Sequence, residues 1–193
     1  MGISLEKGGR IDLGKAAPGL NKIGIGLGWD ENNSDTGADF DLDASLFMLG
    51  ANGEISSQGH FIFYNNLTSP CGAVEHTGDN LTGDGDGDDE LINVTLNDIP
   101  DNIKELVIVV TIHDAINRGQ NFGQVLDSFI RIFDAGTEKE IAKYELDEDF
   151  STETAIEFGR LYRKDGSWRF KAVGTGYTSG LQGFVDNFAS KFM

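Results

Sequence analysis

The chain has 193 residues, 39% of them hydrophobic and 10% aromatic, which is enough apolar material for a packed core. The formal net charge is −17, and nearly all of it lies in one stretch: residues 23–103 hold 16 Asp and Glu with no Lys or Arg, against 15 Lys and Arg and 16 Asp and Glu in the remainder. Nucleic acid and anionic lipid both demand a positive footprint, so neither fits as a direct partner of that stretch, and a single cysteine, Cys71, excludes an internal disulfide framework.

The opening "MGISLEKGGR" lacks the apolar centre of a signal peptide. Gly2 is a poor myristoylation site because Glu6 stands where that signal wants Ser or Thr. No apolar run approaches the roughly 18 residues needed to span a bilayer. A cytoplasmic location is the expectation these features leave.

Nine segments read as strands: "KIGIGLG" (22–28), "FDLDASLFML" (40–49), "HFIFY" (60–64), "ELINVTL" (90–96), "KELVIVVTIHD" (104–114), "VLDSFIRIFD" (125–134), "EIAKYEL" (140–146), "AIEFGRLYR" (155–163) and "WRFKAVG" (168–174). They recur at short spacing with Gly, Asn and Asp between them, which predicts a mainly β protein: an antiparallel β-sandwich of about ten strands. In the first, Ile23, Ile25 and Leu27 share one face. Gly24, Gly26 and Gly28 share the other, a pattern suited to a strand closely approached from that side. Near the end, Leu181, Phe184, Val185, Phe188 and Phe192 fall at helical spacing after Ser179-Gly180. That predicts an amphipathic helix over about 180–191, docked on the sandwich. No long linker or repeat interrupts residues 1–193, so a single domain is expected.

The densest charge is "GDNLTGDGDGDDE" (78–90), with six carboxylates, Asp79, Asp84, Asp86, Asp88, Asp89 and Glu90, and no cation. Like charges about 5 Å apart repel by roughly 3 kcal/mol at an effective dielectric near 20, so a folded loop of this kind needs a cation, a basic partner or free hydration. Its glycines allow a backbone that turns carbonyls inward, and Asn80 and Thr82 add neutral oxygens. Upstream, "DFDLDAS" (39–45) places Asp39, Asp41 and Asp43 on one strand face with Phe40, Leu42 and Ala44 on the other; the carboxylates then stand about 7 Å apart in a row. An all-oxygen donor set that can wrap a large ion points to calcium rather than to magnesium or a soft metal. An EF-hand is excluded, because a window from Asp79 to Glu90 has Leu81, Gly83 and Asp84 where that loop needs two oxygen ligands and a glycine. A β-roll needs many stacked copies, and one is present.

Other candidates are weaker. His113 and Asp114 are adjacent, so strand alternation separates them as a catalytic dyad. A packed His113, with Asp114 capping a loop or joining the acidic end, is the expectation. No serine or cysteine has a recognisable nucleophile setting. Cys71 sits in a Pro/Gly turn with nothing basic nearby in sequence to activate it.

These motifs, with "HFIFYNNLTSP", "AVEHTGDNLTGDGDGDDE", "STETA" and "WRFKAVG", make residues 3–178 resemble the TerD family of tellurite-resistance and stress-response proteins, in the TerD/TerE branch. The resemblance implies a cytoplasmic, non-enzymatic calcium-binding β-sandwich that holds one or two ions. It implies partners of the TerB and TerC kind, with association at the inner face of the membrane through them and no membrane insertion of its own. The family's acidic motifs fall here on Asp39, Asp41, Asp43, Asp79, Asn80, Asp88, Asp89 and Glu90, while Asp84 and Asp86 occupy variable positions. Cys71 stands where the family commonly has Asp. The alternative is a metal-independent module whose acidic face docks a basic protein.

Overall fold

The computed structural model describes residues 2–30, 39–78, 87–146 and 150–192. Among the described residues twelve strands follow in chain order: β1 (Ile3–Leu5), β2 (Arg10–Asp12), β3 (Lys22–Gly28), β4 (Leu42–Leu49), β5 (Phe61–Ile62), β6 (Val74–His76), β7 (Glu90–Thr95), β8 (Glu105–Ile112), β9 (Phe129–Asp134), β10 (Glu140–Glu145), β11 (Ala155–Lys164) and β12 (Ser167–Tyr177). Helical turns α1 (Leu13–Ala16) and α2 (Ala115–Arg118) lie in connections, and α3 (Gly180–Phe188) closes the chain. The first sheet has the order β1-β10-β9-β3-β7-β6 and the second β2-β12-β11-β8-β4-β5. This is the expected sandwich with one exception to the antiparallel rule, because β1 pairs with β10 in parallel. At three residues each, β1, β2 and β6 are too short to carry a readable period.

The core lies between the sheets. Ile23, Ile25 and Leu27 of β3, with Ile92 and Val94 of β7 and Ile130 and Ile132 of β9, meet Leu42, Ala44 and Leu46 of β4, Ile108 and Val110 of β8 and Phe158 and Phe170. A smaller core lies on the outer face of the second sheet, where α3 sets Phe184 and Val185 against Phe47, Leu49, Val107 and Val109. Strands β4 and β8 are thus buried on both faces, which accounts for the unbroken apolar runs "LFML" and "LVIVV". The final helix docks as the spacing predicts but stops at Phe188, and Phe192 falls in a separate 3-10 turn.

The glycine face of β3 is closely covered. Across the ladder Gly24 faces Phe133, Gly26 faces Arg131 and Gly28 faces Phe129. The rings of Phe133 and Phe129 and the carboxylate of Asp88 occupy the places where side chains at 24, 28 and 26 would stand. Glycine here makes room for neighbours that lean across the strand.

Strand β11 carries a bulge between Glu157 and Gly159, opposite both β12 and β8. One extra residue reverses the alternation. Ahead of it Ile156 and Phe158 point into the main core, and beyond it Leu161 does. Glu157 and Arg160 therefore share the outer face, three residues apart, and form a bidentate pair.

Candidate metal centre

The end of β3 and the starts of β4 and β7 meet at one end of the sandwich, because β3 and β7 run antiparallel with Leu27 opposite Glu90. Trp29, 4% exposed, ties them together. Its indole N–H donates to the Phe40 carbonyl at 3.2 Å and its backbone N–H to Asp89 Oδ2 at 3.0 Å. The connection after β8 joins them, with the His113 N–H donating to the Asp41 carbonyl at 2.8 Å and the Gln120 amide to the Asp39 carbonyl at 3.3 Å.

Each acidic residue named from the sequence has a distinct setting. Asp39 is exposed, whereas Asp41 and Asp43 are buried at 7% and 6%. Asp43 lies on β4, and Asp41 lies just before that strand, which begins at Leu42 rather than at Phe40. Arg118 of α2 stands 3.9 Å from Asp41 Oδ2, and His113 Nδ1 stands 3.6 Å from Asp43 Oδ2. His113 is half exposed, not packed as expected, and Asp114 accepts from the Asn117 amide at 2.6 Å at the start of α2.

Asp88, Asp89 and Glu90 diverge. Asp88 accepts two parallel hydrogen bonds from Arg131, Nε to Oδ1 at 2.7 Å and a terminal nitrogen to Oδ2 at 2.8 Å. That geometry adds strength and orientation, and it holds the Arg131 pKa above its ordinary value. Asp89 receives the Trp29 amide. Glu90 is buried, and its Oε2 crosses from the first sheet to accept from the Ala44 N–H at 2.5 Å on the second. His76 lies beside it, Nε2 3.7 Å from Glu90 Oε2 and 3.2 Å from the Ala44 carbonyl, while Nδ1 accepts from the Gly78 N–H at 3.2 Å. With Nδ1 accepting, the hydrogen-bond network assigns the proton to Nε2, which donates to the Ala44 carbonyl.

Asp79 and Asn80, with Asp84 and Asp86, lie outside the described residues. Among the described residues no three His, Cys, Asp or Glu side chains converge closely enough to hold an ion. The donors at this end are hard oxygens, and Asp39, Asp41 and Asp43 follow one another along the start of one strand, a donor chemistry that fits calcium.

The partners Arg118 and Arg131 were not legible as site residues. Arg118 and Arg131 come from outside the cation-free stretch, so counting charge along the chain cannot see them. One signal pointed to Arg131: it alternates with Phe129 and Phe133 on β9, against the glycine row of β3.

Fold and site define an all-β, two-sheet sandwich with a docked C-terminal helix and a carboxylate-rich end closed by a buried tryptophan. A solved structure described as a homologue of telluride resistance protein (TerD) from Streptomyces coelicolor A3(2) shares this fold, with a TM-score of 0.70 and 20% identity over 86% of this chain and 95% of that one. The TerD domain family model matches residues 1–188, and the chain belongs to that family. It is 54% identical over 181 residues to the tellurium resistance protein TerD of Serratia marcescens and to general stress protein 16U of Bacillus subtilis (strain 168), covering 94% of this chain and 94% of each relative. The family is thus one of tellurium-resistance and stress-response proteins. Among the described residues no helix is long and apolar enough to cross a membrane.

Proposed function

We propose that the chain is a non-catalytic calcium-binding protein of a bacterial tellurite-resistance and stress-response system, acting as an ion-ordered interaction module. The observation that carries this reading is the burial of Asp41 and Asp43 on one strand start. Taking a carboxylate out of water costs several kcal/mol unless charge and hydrogen bonds offset it. The cations facing this pair stand at 3.9 and 3.6 Å, and one is a histidine, charged only when protonated. A hard divalent ion at this acidic end would add positive charge and oxygen-directed coordination to these carboxylates. Asp39, Asp41, Asp43 and Asp89, with Asp79 and Asn80 from the sequence motifs, would hold one or two calcium ions, and Glu90 contributes from between the sheets through the Ala44 amide. Asp88 contributes through Arg131. When bound, the ion supplies positive charge and cross-links the loops.

Calcium that binds the ordered state alone stabilises it by RT ln(1 + [L]/Kd), so its concentration sets whether the surface is presented. Partners of the TerB and TerC kind would read that surface in the cytoplasm or at the inner face of the membrane. Membership in the family supports this assignment.

The test is calorimetric titration of calcium into chelator-stripped protein with parallel thermal melts, for wild type and for Asp41→Asn and Asp43→Asn. Saturable binding that raises Tm and is weakened by both substitutions is expected. Absence of heat and of any Tm shift would sink the calcium reading in favour of an acidic module that docks a basic protein, recognisable by disruption of its complex at high salt.

A further inference from the structure

On the outer face of the second sheet, α3 covers β4 and β8 and reaches Ala155 of β11 and Tyr177 of β12. The other half, formed by β2, β12 and β11, holds an open cavity of about 480 Å³ whose walls include Arg10, Arg160, Lys164 and Lys171. Lys171 of β12 is the direct cross-strand neighbour of Arg10 on β2 and of Arg160 on β11, so three cations stand in one row across three adjacent strands. Like charges directly opposite one another on a sheet are destabilising. Arg160 is compensated by Glu157 and by Glu105, the latter at 2.9 Å. Arg10, Lys164 and Lys171 have no ion pair or hydrogen-bonding side chain among the described residues.

The β11 bulge that places Arg160 beside Glu157 also turns Tyr162 and Lys164 onto this face. Arg160 is fixed by its two carboxylates with guanidinium N–H groups to spare. The Tyr162 hydroxyl at the same wall has no protein partner among the described residues. A chain with a net charge of −17 thus gathers uncompensated cations and a free hydroxyl donor around one concave, ligand-sized space.

We propose that this cavity binds a compact phosphate-bearing anion, with Arg10, Lys164 and Lys171 neutralising the phosphate oxygens and Arg160 and Tyr162 donating hydrogen bonds. An anionic bilayer would bring a broad negative surface against the whole acidic molecule. A small anion inside the cavity feels chiefly the charges within a Debye length, about 8–10 Å, and in the cavity wall four cations outnumber the two carboxylates Glu105 and Glu157. A soluble ligand is therefore favoured over a lipid headgroup. The site shares no residue with the acidic end, so it stands or falls independently of calcium.

The test is an amide-resolved NMR titration of the full chain with inorganic pyrophosphate at low salt, for wild type and for Arg10→Gln/Lys171→Gln. Saturable shifts at Arg10, Tyr162, Lys171 and neighbouring amides are expected. The double substitution should weaken binding at least tenfold, since one charged hydrogen bond is worth about 1.5–3 kcal/mol, and Lys139→Gln on a distant turn should leave it unchanged. Tm of the double variant should hold or rise, because it removes like-charge contacts. Shifts confined to residues 39–43 and 87–90 would report calcium stripping by pyrophosphate and overturn the proposal. So would affinity untouched by the substitutions, or a loss of Tm showing that the cations hold the sheet together. Sedimentation with phosphatidylglycerol vesicles is the second arm. Pelleting abolished by the same double substitution, without saturable pyrophosphate binding, would overturn the soluble-ligand assignment in favour of a headgroup.

Discussion

Asp88 stands in the acidic motif but faces Arg131, and a double-mutant cycle separates the two roles. The perturbations are Asp88→Asn, Arg131→Gln and both together. The pair is bidentate at 2.7 and 2.8 Å, with the arginine side chain 29% and the aspartate 11% exposed. Unit charges about 4 Å apart attract by roughly 4 kcal/mol at an effective dielectric of 20, whereas fully exposed pairs measure about 0.2–1 kcal/mol. Partial exposure of Arg131 places the coupling between these, at about 1–2 kcal/mol. Arg131→Gln alone should cost somewhat more, because it leaves Asp88 packed over Gly26 without its counter-charge, and should lower Tm by about 4–8 °C for a chain of this size. The assay is urea unfolding of the four proteins, each with calcium and with chelator. Coupling that persists in chelator assigns Asp88 to Arg131. Coupling below about 0.3 kcal/mol in both conditions, the level expected of independent sites, together with loss of calcium affinity in Asp88→Asn, would refute the reasoning and make Asp88 an ion ligand.

Gly26→Ala should cost about 1–3 kcal/mol, since its methyl group would overlap the Asp88 carboxylate; chemical denaturation checks this, and Asp88→Gly in the same chain should recover part of the loss. Arg160→Met should destabilise by about 3 kcal/mol or more, because Glu157, 3% exposed, would stay buried without its bidentate partner; adding Glu157→Gln should restore much of the stability in thermal melts. Burial lowers the His60 pKa below its ordinary 6.5, so the unfolded chain binds the proton first. The His60 contribution is then intact above about pH 6.5 and declines as pH falls through the lowered folded value, and His60→Gln should flatten that limb of a Tm-against-pH curve.

What the sequence made legible was whatever rests on a local period. Alternation located the long strands, the apolar run of β8 reflected burial on both faces, and helical spacing found the helix that covers Phe47 and Val107. The short pairings of β1, β2 and β6 depend on neighbours far along the chain and leave no local trace. The bulge in β11 was also invisible, because an inserted residue looks like any other until its partner strands fix the register. That bulge decides that Glu157 and Arg160 meet, although strand alternation places residues three apart on opposite faces.

The charge pattern shows the same limit more sharply. Residues 23–103 contain no Lys or Arg, so the sequence leaves Asp41, Asp43 and Asp88 without a covalently near cation. Folding brings Arg118 to Asp41, His113 to Asp43 and Arg131 to Asp88 from beyond that stretch. Glu90 spends its charge between the sheets, on the Ala44 amide. The described carboxylates therefore do not pose one common demand for an ion. Asp88 is held at hydrogen-bond distance by both ends of Arg131. With that carboxylate committed to an arginine, the calcium proposal is tested most directly at the row that begins at Asp39, and substitutions at 41 and 43 should lower calcium affinity more than substitution at 88.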